Sequence, residues 1–370
     1  MQKKVISTVV VAVFVVSGFP PSHEATAGPP NPSAQADSPA LAQSQTPTAQ
    51  RAQPIKPDEV PRRKHAAPIP PRGTYTPPPT PWGDPDIAGA YNNSDETGIP
   101  FERPDEFSGR TLDSFTPDEL EKLTRQRQEQ TIERNPTLSE FPGATSPMHW
   151  FENYFAANSR PWMVSEPADG KVPPVTEEGR KRAADRQAAR RGRGPADSWE
   201  DRSLYDRCIT RGVPGSMMPA IYGNSYEIQQ GPGFVTITYE MIHDTRVIPL
   251  DGRPHLPSSV RQYLGDARGH WDGNTLVVET TNFTDKTPYR GSSENLRLIE
   301  RFTPIGPDTI EWSVTFDDPH TWARPWTFVM NLTHDEGQPP FEYACHEGNY
   351  GLRNVLSAAR AEERERAQGK

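Results

Sequence analysis

The sequence predicts a mainly β protein, an antiparallel meander closed as a barrel or packed as a sandwich, with helices at its periphery. Three observations point there. From Ser225 onward apolar side chains recur at every second residue, the spacing that puts them on one face of a strand. The segments patterned in this way are joined by Asp272-Gly273-Asn274 and by Ile305-Gly306-Pro307-Asp308, short turns suited to hairpins. No long helical pattern separates one strand from the next, so sequential strands are expected to pair.

Taken in order, the chain begins with an export pattern over residues 1–27. Lys3 and Lys4 precede the apolar run Val5 to Val16, and Ala25-Thr26-Ala27 supplies small residues for cleavage. The run is shorter than the roughly 20 residues of a membrane span, so no transmembrane domain is expected and the mature chain is placed in the periplasm or outside the cell. Residues 28–81 are rich in Pro, Ala, Gln, Ser and Thr. With so few bulky apolar residues they cannot repay the entropy of ordering, and they read as a disordered linker that gives reach, toward an envelope protein partner for example.

Residues 82–204 read as an irregular and helical arm that packs on the main domain. Thr116-Pro117-Asp118-Glu119 opens a helix to about Arg134, Thr as cap, Pro in the first turn and Glu119 returning a bond to the cap. Asn135-Pro136 stops it. The stretch Met148 to Val164 holds Trp150, Phe151, Tyr154, Phe155 and Trp162 interleaved with His149, Glu152 and Arg160. Such residues either pack an arm over one end of the sheet or line an apolar pocket. Arg180 to Arg193 has helix-forming composition without a large apolar face, so it reads as a solvated helix.

The β-domain spans 205–351. Candidate strands are 225–230; 233–250, with Val235, Ile237 and Tyr239 on one face; 268–271 and 275–283; 295–303 and 309–316; 326–333; and 341–345. A charged helix and tail occupy 352–370. Closing the meander gives a calycin-like barrel whose interior either surrounds a ligand with a few Glu, His and Arg side chains or is filled as a structural core, since alternation does not measure the volume left inside. On the strand at 295–303, Leu296, Leu298, Glu300 and Phe302 share one face. Glu300 is the anomaly in that row, because a lone carboxylate among apolar residues must be paired, hydrated or functional.

Composition narrows the chemistry. Asp and Glu number 49 against 40 Lys and Arg, a net charge of −9, which disfavours nucleic acid as a partner. The chain has only two cysteines, Cys208 and Cys345. In an oxidising compartment such a pair is expected to be joined, and two thiols are too few for the Cys-rich zinc and iron-sulfur patterns. His243, His270, His346, Glu240, Glu279, Glu300 and Glu347 are metal-ligand types without diagnostic spacing, so neither metal nor cofactor is expected. The chain has no G-x-S-x-G elbow, H-E-x-x-H helix or glycine-rich nucleotide loop.

Acid–base chemistry would draw on Glu300 or Glu279 as base and His346 or His270 as acid, with Arg301, Arg246 or Arg353 stabilising negative charge. Three function classes stand: an exported small-molecule binding protein, which is favoured; a metal-free lyase, isomerase or hydrolase; and a structural envelope module.

The runs C-I-T-R-G-V-P-G-S-M-M-P-A at 208–220, E-M-I-H-D-T-R at 240–246, R-G-H-W-D-G-N-T-L-V-V-E-T at 268–280 and Y-A-C-H-E-G-N-Y at 343–350 resemble a large uncharacterised family of exported bacterial proteins. The resemblance covers about residues 145–363. It implies export and a β-rich domain, and it assigns no catalytic residue.

Overall fold

A computed structural model of the chain describes residues 75–134, 156–220, 222–337 and 339–369. The export signal, most of the linker and the aromatic residues 148–155 lie outside the described residues. Among those described, ten strands form one antiparallel sheet: β1 (Gly89–Asn92), β2 (Val164–Glu166), β3 (Ser225–Gly231), β4 (Phe234–Tyr239), β5 (Thr245–Pro249), β6 (Asp266–Asp272), β7 (Thr275–Thr281), β8 (Arg297–Gly306), β9 (Thr309–Asp317) and β10 (Trp326–His334). Their order is β5-β4-β3-β1-β10-β9-β8-β7-β6, with β2 added on β10.

The two ends of that order meet. At Gly269 on β6 an added Cβ would stand 2.6 Å from Leu250 Cδ2 and 2.8 Å from Ile248 Cγ2, so glycine is what lets β5 and β6 come side by side. No ladder pairs β5 with β6 among the described residues. The sheet is therefore a nearly closed barrel, which decides between the barrel and the sandwich. The turn after β6 has Gly273 at φ +59°, the left-handed geometry that an Asp-Gly-Asn sequence favours.

Alternation works as expected. Tyr226, Ile228, Val235, Ile237, Tyr239, Ile248, Leu276, Val278, Leu298, Phe302, Trp312, Val314, Phe316, Trp326, Phe328, Met330 and Leu332 all point inward and are buried. The rings interlock: Phe316 lies flat on Trp326 at 4.1 Å, and Trp312 meets Phe328 edge-on at 5.5 Å. Large side chains fill the barrel, and each such pair adds about 0.5–1.5 kcal/mol beyond its buried area.

Several elements differ from the sequence reading. Residues 233–250 are two strands joined by a tight turn in which Ile242 and His243 both have positive φ. Neither is a residue that advertises such a turn, so periodicity ran straight through it. His243 and Glu240 belong to this turn and not to a regular strand. Residues 341–345 are not a strand. They follow Pro339-Pro340, Phe341 is exposed, and the segment leads into α3 (Cys345–Gly348), which Cys345 ties to Cys208. The arm of residues 82–204 also supplies β1 and β2, and β1 sits between β3 and β10.

The helices follow their signals. α1 (Pro117–Arg134) carries the expected capping box, Glu119 N donating to Thr116 Oγ1 at 3.3 Å and Thr116 N to Glu119 Oε2 at 2.8 Å. α2 (Glu177–Ala189) starts at a Thr176 cap, and α4 (Tyr350–Ala367) closes the chain. Trp162 is buried against Phe107 and Phe115, so this part of the aromatic segment packs.

Candidate functional site

Glu300 points into the barrel and is 0 % exposed. Strand parity puts it there, and parity on β5 turns Arg246 inward between the exposed Thr245 and Val247. The two side chains form a fork: Arg246 Nη2 donates to Glu300 Oε1 at 2.9 Å, and Nη1 donates to Oε2. Trp312 Nε1 donates to Oε1 at 3.2 Å. Burial pushes the phenol of Tyr239 up from its ordinary value, with Arg246 nearby pulling the other way. To act as a base, Glu300 would first have to release Arg246 from inside a filled barrel.

The other candidates sit elsewhere. Glu279 and Arg301 face outward from the barrel wall, Glu279 accepting from Arg297 Nε at 2.9 Å and Arg301 donating to Asp272 at 2.6 Å. His270 is an exposed side chain opposite Val277. His346 is exposed on α3. Glu300 is therefore not brought onto a common face with Glu279, His270, Arg301 or His346. His243 Nδ1 lies 3.1 Å from the Tyr343 carbonyl, where it touches the C-terminal segment. Among the described residues no three His, Cys, Asp or Glu side chains form a group that could hold a metal.

A surface cluster went unread in the sequence. His255 Nδ1 is 3.0 Å from Asp266 Oδ2, and its Nε2 is 3.3 Å from Glu279 Oε1. Burial works to raise the carboxyls of Asp266 and Glu279, but hydrogen bonds from Leu256 N, His255 and Arg297 and the charges of Arg268 and Arg297 outweigh it and hold both below the usual range. The cluster fastens the 250–265 crossover to the barrel wall.

Open space lies at one end of the barrel, where β7 finishes and β8 begins, and a smaller pocket of about 710 Å³ between Asp244, Arg261 and Glu294 adjoins it through Thr210 and Tyr263. A cleft of about 1370 Å³ runs there between the end of α2, the segment 199–218 and residues 285–290. Its walls are tied down. The Cys208–Cys345 disulfide fixes the 199–218 segment, helped by Asn349 Nδ2 donating to the Asp206 carbonyl at 2.9 Å. Thr287 Oγ1 donates to the Tyr263 carbonyl at 2.8 Å and holds residues 285–290. Tyr289 lies on the core ring Phe316 at 5.3 Å, and Phe101 packs against Trp326 and Phe328, so the floor is continuous with the hydrophobic core.

The lining reverses the charge of the whole chain. Seven cationic side chains, Arg186, Arg190, Arg202, Arg207, Arg211, Lys286 and Arg290, face two carboxylates, Glu200 and Asp285, in a protein of net charge −9. Three of the arginines lie over aromatic rings: Arg207 on Trp199 at 4.4 Å, Arg211 on Tyr205 at 5.3 Å and Arg290 on Phe101 at 4.2 Å. None of these three forms an ion pair with a described residue. Arg211 Nη1 is shut from solvent with no hydrogen-bond acceptor among the described residues. Trp199 lines the cleft and is 51 % exposed.

Sequence reasoning did not single out Trp199, Arg207, Arg211, Tyr289 or Arg290. The aromatic and arginine residues of 199–211 and the neighbours Tyr289-Arg290 are visible in the sequence, but nothing in their spacing says that the two loops meet.

No family model matches the chain, and no curated protein matches it. Among solved structures, a secretary abundant heat soluble (SAHS) protein from Ramazzottius varieornatus is 12 % identical over 36 % of this chain and 87 % of that one, with a TM-score of 0.21. A likeness of that size carries no functional argument, and the barrel is established here by its own strand order.

Proposed function

We propose that the protein is an exported binding protein that holds a small molecule in the cleft at the end of the barrel. The observation that carries this is where the space lies: the interior is filled by large rings and a closed ion pair, while the cleft is open, aromatic-floored and walled by tethered loops. Small-molecule sites are concave, largely pre-formed and lined by aromatic groups with a few polar anchors. Export is supported by the N-terminal signal pattern and by the disulfide, a bond suited to an oxidising compartment. No helix among the described residues is long and apolar enough to cross a membrane.

The test is a thermal-shift screen of the full chain against a metabolite library, repeated on Trp199→Ala. A ligand at 100 times its Kd stabilises the folded state by about 2.7 kcal/mol. Compounds that raise the melting temperature of the wild type are expected to lose most of that shift in Trp199→Ala, whose own melting temperature stays near the wild-type value because the side chain is half exposed. Ligands that bind both proteins equally place the site elsewhere and overturn the reading.

A further inference from the structure

The charge of the cleft is more specific than its shape. A cluster of guanidinium groups in one concavity is self-repelling. Proteins usually relieve this with neighbouring carboxylates, and this chain does so at Arg202 in the lining, which pairs with Asp206 at 3.2 Å, and nearby, where Lys181 pairs with Asp185 at 2.6 Å and Arg193 with Asp201 at 2.7 Å. Arg207, Arg211 and Arg290 are left without such partners among the described residues, although the chain has carboxylates in excess.

Their posture is equally specific. A guanidinium laid over an aromatic ring is held by its face, and its edge of N–H donors then remains free to form the two parallel hydrogen bonds that suit a carboxylate or phosphate. Trp199, Tyr205 and Phe101 each hold one arginine in that way.

We propose that the ligand of this cleft is a small, multiply charged oxyanion, a polycarboxylate or a phosphorylated compound, gripped by Arg207, Arg211 and Arg290 from their aromatic rests. This rests on the cleft being the ligand site. Phosphate and carboxylate share the recognising chemistry, and the experiment separates them.

The experiment is isothermal titration of the full chain at low salt with sodium tripolyphosphate, with trisodium citrate and with sodium acetate. One of the two polyanions is expected to bind at least about 100-fold more tightly than acetate, and which one names the source of the charge. Arg207→Gln, Arg211→Gln and Arg290→Gln should each weaken it about tenfold, and Arg207→Lys nearly as much, since the ammonium keeps the charge but loses the fork. Arg366→Gln, on the exposed end of α4, should leave it unchanged. Equal weakening by Arg366→Gln, full binding by Arg207→Lys, or no preference over acetate overturns the proposal. The neutral dye Nile red, titrated into wild type and Trp199→Ala, separates the two failures. If it binds the wild type alone, the cleft remains the ligand site and only the charge class falls; if neither dye nor anion depends on the cleft, both fall.

Discussion

Replacing Arg246 with Met is expected to lower the stability of the barrel by about 3–5 kcal/mol, the usual consequence of removing one partner from a buried ion pair. Glu300 would then be a carboxylate inside a core of Phe302, Trp312 and Val314 with only the Trp312 indole left to it. Glu300→Leu should be destabilising on a similar scale, because it strands Arg246, whose side chain is equally buried. The double variant Arg246→Met/Glu300→Leu is expected to recover most of the loss, since neither desolvated charge remains. Urea denaturation of the four proteins checks this through the midpoint and slope. Additive losses in the double variant would contradict the closed-pair account and would mean that each side chain has a separate task.

Removing the disulfide has the second largest expected effect. Cys208 and Cys345 are 137 positions apart, and closing a loop of that size restricts the unfolded chain by roughly 5 kcal/mol in the chain-entropy model, which is an upper bound. Cys208→Ser and Cys345→Ser should therefore lose about 2–5 kcal/mol each and by the same amount. Wild type under reductant should fall to the level of the variants. The bond also anchors the 199–218 wall, so affinity for a cleft ligand should drop with stability, more than it does in a comparably destabilised core variant such as Ile228→Ala. Unchanged denaturation midpoints in both serine variants would contradict the stabilising role.

Much of the barrel was legible because a strand's side chains alternate from face to face. That rule put Val235, Ile237 and Tyr239 inside, Thr236 and Thr238 outside, and Glu300 in an apolar row where it had to find a partner. It could not say which partner. Arg246 lies 54 positions away on a strand that is six places from β8 in the sheet order, and alternation carries no information about register between distant strands. The turn at 240–244 escaped for a related reason: Ile242 and His243 adopt positive φ without the glycine or asparagine that usually signals it. β1 is four residues long, too short for a period to show.

The cleft was the least legible feature. Its walls are loops, which have no period, and its arginines come from three separate stretches of chain. The stretch Arg180 to Arg193 reads as a solvated helix from composition, and most of α2 is solvated, yet Arg186 and Arg190 at its end reach the cleft. Charge reversal in a pocket of an acidic protein is a property of the folded surface, so it appears only once the loops are placed.

The measurement that bears most directly on the account is a high-resolution crystal structure of the protein purified from its native host. The account predicts density for a small molecule in the end cleft, its oxyanion groups facing Arg207, Arg211 and Arg290, with the Arg246–Glu300 pair intact beneath it. A ligand found inside the barrel against Glu300, with the cleft holding only solvent, would contradict it.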